Sequence, residues 1–155
     1  MGYKEKYEKW LNDPIFDEAA KAELKALADE NEIEDRFHTD LEFGTAGLRG
    51  IMGAGDNRMN VYTVGKAACG IAKYLVSEVG EGLKCAVAYD CRNNSRLFGG
   101  IVSANLLKAG IKVYMFPTLA PTPLLAHAIR SLGCEAGFMI TASQDRKSVV
   151  EGKSV

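Results

Sequence analysis

Three groups of residues in this chain could do chemistry. Ser143 follows an apolar run, Ala136-Gly137-Phe138-Met139-Ile140, and closes the tripeptide Thr141-Ala142-Ser143. A serine at the end of a buried strand is placed to act as a nucleophile. Gly44-Thr45-Ala46-Gly47-Leu48-Arg49-Gly50 is a glycine-punctuated turn. Glycine lets the backbone approach an anion closely, and Arg49 adds a permanent charge with forked donors. Arg92 and Arg96 lie just after Asp90. A serine accompanied by arginines suits phosphoryl chemistry, where positioning and charge stabilisation dominate. A glycine-rich turn with one arginine describes an ordinary tight turn equally well, so spacing alone leaves both readings open.

These residues need elements to hold them. Cys85 to Tyr89 predicts a short buried strand ending at Asp90, and Ser95 to Ala109 a helix stopped by Gly110. Ile111 to Phe116 predicts a second strand. Pro117, Pro121 and Pro123 mark a rigid loop, followed by a helix over 123–132 that ends at Gly133. Glu135 to Thr141 predicts a third strand, and its unbroken apolar centre suggests a central or near-central place in the sheet. Strand alternating with helix predicts an α/β layer with a mostly parallel or mixed sheet flanked by helices. In such sheets ligands gather at the carboxyl ends of the strands, so the segments 90–95, 117–122 and the one after Thr141 should share one edge.

Upstream, Asn60 to Val79 predicts a long helix with Val64, Ala67, Ala68, Ile71 and Leu75 on its apolar positions. Residues 1–38 read as a helical extension. Tyr3, Tyr7, Trp10 and Leu11 recur at helical spacing, and Asn12-Asp13-Pro14 breaks that helix. A second helix begins near Asp17, with Ala20, Leu24, Leu27 and Ala28 on one face. The domain reading is a helical extension over 1–38, an incomplete α/β domain over 39–143, and a foreign or disordered tail over 144–155. That tail, Gln144-Asp145-Arg146-Lys147-Ser148-Val149-Val150-Glu151-Gly152-Lys153-Ser154-Val155, has none of the upstream periodicity and resembles translated adaptor read-through.

Composition narrows the function. The chain has 155 residues, enough for one domain with a real core. Its net charge of −1 gives no global field to attract nucleic acid or an anionic membrane. No apolar run is long enough to span a bilayer, and the charged Tyr3–Trp10 segment does not read as a secretory signal. A cytoplasmic location is therefore expected. Cys69, Cys85, Cys91 and Cys134 form no C-x-x-C pair and read as reduced core cysteines. His38 and His127 have no metal-ligand spacing and read as structural or solvent-facing.

The words of the sequence are more specific than its spacings. Thr39-Asp40-Leu41-Glu42-Phe43-Gly44-Thr45-Ala46-Gly47-Leu48-Arg49-Gly50, then Asn57-Arg58-Met59-Asn60 and Tyr62-Thr63-Val64-Gly65, resemble the α-D-phosphohexomutase family, and within it the longer bacterial phosphoglucomutases. Ala88-Tyr89-Asp90-Cys91-Arg92-Asn93-Asn94-Ser95 and Pro121-Thr122-Pro123 resemble its next blocks in the right order. The resemblance covers residues 1 to 143. It implies the first domain of such an enzyme, a three-layer sandwich, preceded by a helical extension. It implies that Ser143 is a phosphoserine exchanging its phosphoryl group with a hexose phosphate, with Arg49, Thr45 and Gly47 at the phosphate. It implies magnesium bound through the phosphate on Ser143, glucose 1,6-bisphosphate as primer, and metal-ligand aspartates and sugar-binding segments supplied by later domains of a parent chain. The family continues its serine motif as T-A-S-H-N-P, whereas Gln144, Asp145 and Arg146 stand here. By this reading the chain is an inactive fragment of a hexose 1-phosphate/6-phosphate mutase. Two other classes stay open: a non-catalytic phosphate- or nucleotide-binding module, with Asp90 as a receiver-type phosphoacceptor, and an interaction fragment using the N-terminal helices.

Overall fold

A computed structural model describes residues 2–44 and 47–141, which fall into two compact units, one ending at Thr63 and the other beginning at Val64. The first unit opens with α1 (Tyr3–Asn12), α2 (Glu18–Lys25) and α3 (Glu30–Phe37). Sequence periodicity suggests one helix after Asp17, but two form. Asp17 caps α2 by accepting from the Ala20 amide at 2.7 Å, and Asp29 caps α3 by accepting from the Asn31 amide at 2.9 Å. Each carboxylate satisfies an amide that a helix start leaves without a partner and favours the positive end of the helix dipole. A second cap inside one apolar stripe splits the stripe in two.

The three helices close around Trp10, Leu24 and Phe37, all buried, with Ala54 from the following loop. Trp10 stacks on Phe16 at 4.0 Å between ring centroids and meets Tyr62 edge-on at 5.3 Å. The indole N–H donates to Asp56 Oδ1 at 3.0 Å, so this polar tip is not left unpaired in the core. A two-stranded hairpin follows α3: β1 (Phe43–Gly44) and β2 (Gly47–Leu48), antiparallel, pairing Phe43 with Leu48 and Gly44 with Gly47.

The second unit is a three-layer sandwich. Helix α4 (Val61–Val79) leads into it and buries Val64, Ala68 and Ala72. The sheet contains β3 (Lys84–Tyr89), β4 (Lys112–Met115) and β5 (Ala136–Ile140), in the order β4-β3-β5 with both pairings parallel. The crossovers are α5 (Ser95–Lys108) and α6 (Thr122–Leu132). Side chains alternate across β3, and the two helices use opposite faces. Ala86 and Ala88 pack with Leu125 and Ile129 of α6. Val87 and Tyr89 face Gly99 of α5, where an added Cβ would lie 3.7 to 3.8 Å from them and 3.2 Å from Met115.

The α/β class, the parallel pairing and the helical extension agree with the sequence. The place of the last strand does not. Among the described residues β3 is central and β5 lies at an edge. An apolar run says nothing about which hydrogen-bonding edge is occupied, and in β5 every residue is only half-buried or exposed. The cysteines also divide: Cys85 is buried, Cys69 and Cys134 are half-buried, and Cys91 is exposed in the loop after β3, not in the core.

Ala86 and Ala88 are fully buried under α6, so their small size sets how closely helix and sheet approach. Ala88→Leu should lose about 1–3 kcal/mol of stability through overpacking. Leu107→Ala, at a position 58% exposed, should change it by less than about 0.5 kcal/mol. Urea unfolding of both variants checks the contrast.

Candidate functional site

Two places hold the residues that the sequence singles out, one in each unit. In the first, the β1–β2 hairpin presents Gly47 and, just beyond it, an exposed Arg49. Gly47 has φ +97°, a left-handed backbone that glycine adopts without strain and other residues resist. Thr45 lies outside the described residues.

The hairpin rests on the segment 50–60. The Leu41 amide donates to Asp56 O at 2.9 Å just before β1, and the Met59 amide donates to Ile51 O at 2.8 Å just after β2. Gly50 is pressed against Leu41, where a Cβ would come within 2.6 Å of Cδ1. Asn60 closes the segment on itself by donating from Nδ2 to the carbonyls of Gly53 and Gly55, both at 2.9 Å. Beneath it are two arginines. Arg58, 2% exposed, donates to Asp35 Oδ2 at 2.5 Å, to Glu32 Oε1 at 3.3 Å and to Asn57 O at 3.0 Å. Arg36 donates to Glu32 Oε1 at 3.0 Å, to Glu23 Oε1 at 2.6 Å and to Ala54 O at 2.9 Å. The Arg36 hydrogen bond, helped by Arg58, holds the Glu32 carboxyl below the usual carboxylate range, although partial burial opposes this.

In the second unit the carboxyl ends of β3, β4 and β5 point the same way because the sheet is parallel. The segments after them are tied together. The Asp90 amide donates to Ile140 O at 3.1 Å, the Ala120 amide to Tyr89 O at 3.2 Å, and Tyr89 Oη to Pro117 O at 3.0 Å. The shared edge expected from the sequence is present as far as Thr141. Ser143, two residues further along the chain, lies outside the described residues.

Asp90 is occupied by its own loop. Ser95, fully buried, donates from Oγ to Asp90 Oδ1 at 2.6 Å, and the Arg92 amide donates to the same oxygen at 3.1 Å. Arg92 Nε is 3.5 Å from Oδ2. Asn94 takes φ +65° to let the chain turn into α5. This closed network fits a loop brace, with the guanidinium of Arg92 half exposed above it. At the other end of β3, burial, reinforced by Cys134 and Glu135, pushes the Cys85 thiol up to about 11, so it is protonated at neutral pH.

Among the described residues no three His, Cys, Asp or Glu side chains group as a metal site. No described helix is long and apolar enough to cross a membrane.

The family described as "Phosphoglucomutase/phosphomannomutase, alpha/beta/alpha domain I" matches residues 40–153. This chain belongs to that family. A phosphoglucomutase of Staphylococcus epidermidis is 38% identical over 138 residues, covering 89% of this chain and 25% of its own length. The phosphoglucomutase of Staphylococcus haemolyticus is 43% identical over 114 residues, covering 74% and 21%. A Schizosaccharomyces pombe protein named "Probable phosphoribomutase" is 39% identical over 134 residues, covering 83% and 23%. The chain thus spans about a quarter or less of the length of these curated relatives. No solved structure matches it.

The residues that sequence spacing missed are Arg36, Arg58 and Ser95. Arg36 precedes Phe37 and reads as the polar side of an amphipathic face, with Glu23 and Ala54 as its distant acceptors; Ser95 sits between Asn94 and Arg96 and reads as a polar turn.

Ser95→Ala leaves one oxygen of Asp90 without its hydroxyl donor and should cost about 1–3 kcal/mol, read by urea unfolding. Glu32 gives a pH signature. A carboxyl lowered on folding stabilises fully above its unfolded value of about 4.3, and that share is lost as pH falls through the lowered value. Wild type should therefore exceed Glu32→Gln in stability at pH 7, with the gap closing progressively in melts below that unfolded value.

Proposed function

We propose that this chain is the first-domain portion of a phosphoglucomutase-type enzyme that interconverts hexose 1-phosphate and hexose 6-phosphate. Ser143 would carry the phosphoryl group. The phosphoserine P–O bond breaks as the phosphorus bonds to the free hydroxyl of the sugar monophosphate. The proton given up by that hydroxyl balances the one taken by the departing oxygen, so Ser143 is released as its free hydroxyl. The resulting bisphosphate returns the phosphoryl group from its other end to Ser143, and glucose 1,6-bisphosphate primes the cycle. Arg49 and the amides around Gly47, with Thr45, would bind phosphate oxygens. Magnesium and the sugar would be held by carboxylates and loops outside the described residues, so no step is assigned to the metal here.

The observation that carries this reading is the family match over a segment that presents Arg49 exposed, just beyond a glycine hairpin, in a family whose relatives are named phosphoglucomutases. The alternative phosphoacceptor, Asp90, is disfavoured because Oδ1 already accepts from Ser95 Oγ and the Arg92 amide. The "Probable phosphoribomutase" relative keeps the sugar undetermined between hexose and pentose. The tail reading for 144–155 stays a proposal too; those residues lie outside the described ones, and the family match runs to Lys153.

The 155-residue chain should show no mutase turnover on glucose 1-phosphate with magnesium and bisphosphate. Losing positioned charge and substrate contacts costs many orders of magnitude. Residues 1–143 joined to the remaining length of the Staphylococcus epidermidis phosphoglucomutase should turn over, with phosphate recovered on Ser143 by mass spectrometry and activity abolished by Ser143→Ala. Phosphate recovered on Asp90, or turnover unaffected by Ser143→Ala, overturns the assignment.

A further inference from the structure

We infer that Arg58 and Arg36 are positioning residues for phosphate binding at Arg49, acting through the segment 50–60; this rests on the reading of Arg49 given above. The hairpin has only two residue pairs, Phe43–Leu48 and Gly44–Gly47. A two-stranded ribbon of that size is not stable by itself in water, so it cannot fix the direction of an exposed arginine just beyond its second strand. Its placement must come from what its stem is bonded to.

Both ends of the stem are bonded to one segment. Leu41 hydrogen-bonds to Asp56 before β1, and Ile51 to Met59 after β2. The segment is glycine-rich, with Gly53 at φ +150° and Gly55 at φ +129°, and contributes one core side chain, Ala54, to the aromatic cluster. Polar contacts add to its anchorage: Trp10 Nε1 donates to Asp56 Oδ1, and the contacts to α3 and to Glu23 involve charged side chains. Arg36 holds Ala54 O, and Glu23 Oε1 accepts from the Ala54 amide at 3.2 Å while also accepting from Arg36. The Asn57 amide donates to Arg36 O at 2.9 Å, and Asn57 Nδ2 donates to Asp35 O at 2.9 Å. Arg58 grips Asn57 O with one nitrogen and Asp35 and Glu32 with another.

The glycines show how close this contact is. A Cβ on Gly55 would lie 3.0 Å from Arg36 O, and one on Gly53 would lie 3.2 Å from Arg36 Nη1. The segment is therefore held between the hairpin stem on one side and two guanidinium groups from α3 and the segment itself on the other. Guanidinium suits this role because its planar fork holds five donors in fixed directions, a geometry that the compact ammonium of lysine does not match. Burying Arg58 is tolerable only because it has three acceptors.

The test titrates the isotopically labelled 155-residue chain with inorganic phosphate and reads the amide shifts of Gly47 to Gly50. Arg49→Ala should abolish the response. Arg58→Gln should weaken the apparent phosphate affinity by about five-fold or more, and Arg58→Lys should not restore it. Both should leave the amides of β3 to β5 unmoved. If Arg58→Gln unfolds the first unit, seen as loss of dispersed Trp10 and Phe37 signals, Asp35→Asn and Glu23→Gln replace it and should each weaken affinity with the aromatic signals retained. Unchanged affinity in the folded arginine or carboxylate variants, alongside loss in Arg49→Ala, overturns the positioning role and leaves the phosphate reading standing. No response in wild type and Arg49→Ala alike overturns the phosphate reading, and the positioning role with it.

Discussion

The second unit depends on one strand being covered on both faces. β3 presents Ala86 and Ala88 to α6 and Val87 and Tyr89 to α5, and all four are buried. A strand buried this way pairs in parallel with neighbours whose connections return across the faces, and those connections are the two helices. Parallel pairing then sends all three carboxyl ends to one edge. The small side chains at 86 and 88 and the glycine at 99 set the spacing between layers, and the segments at that edge inherit it. Asp90 is bonded to Ile140, Tyr89 to Ala120 and to Pro117, so the ends of β3, β4 and β5 are bound to one another.

The first unit solves a different problem. Its aromatic core belongs to the three helices, whereas the chemically suggestive arginine comes after a hairpin with almost no core of its own. Hydrophobic contact cannot orient such a ribbon, since Phe43 is 60% exposed and its cross-strand partner Leu48 is only half-buried. Directional polar contacts take over, through backbone bonds at Leu41 and Ile51 and guanidinium bonds at Arg36 and Arg58. Buried ion pairs are poor sources of net stability because desolvation offsets their attraction. Their geometric strictness suits a segment whose larger apolar side chains, Ile51, Met52 and Met59, are only half-buried.

What the sequence made legible follows from the range of the forces involved. Helices α4, α5 and α6 and strand β3 are visible as periods and caps, because their signals lie within one element. Gly110 and Gly133 mark the ends of α5 and α6 through local backbone preference, and both have positive φ. The division of α2 from α3 was hidden because Leu24, Leu27 and Ala28 continue one stripe, while Asp29 starts a new helix inside it. The edge position of β5 was hidden because burial and strand pairing are separate properties. Arg58 was hidden for the longest-range reason. Its acceptors Glu32 and Asp35 lie more than twenty residues away, and no local pattern distinguishes a solvated arginine from one at 2% exposure.

Fold class alone would not have separated a transferase from a binding module, since α/β sheets with loops at one edge serve both. The proposed reading rests on the family match and on the state of the carboxylates. Asp90 is consumed by Ser95 and by the Arg92 amide, and Glu32 by two arginines, so neither is left to act as a base or an acceptor of phosphate. Next to the hairpin an exposed Arg49 follows β2 and an exposed Glu42 precedes β1, so Arg49 is the cation available there. A site that needs to hold a phosphoryl group with three charged oxygens gains most from fixed cations and backbone donors that need no reorganisation when charge develops. Here the carboxylates of Glu23, Glu32 and Asp35, each partly exposed, fix two largely buried arginine side chains, while Arg49 stays exposed.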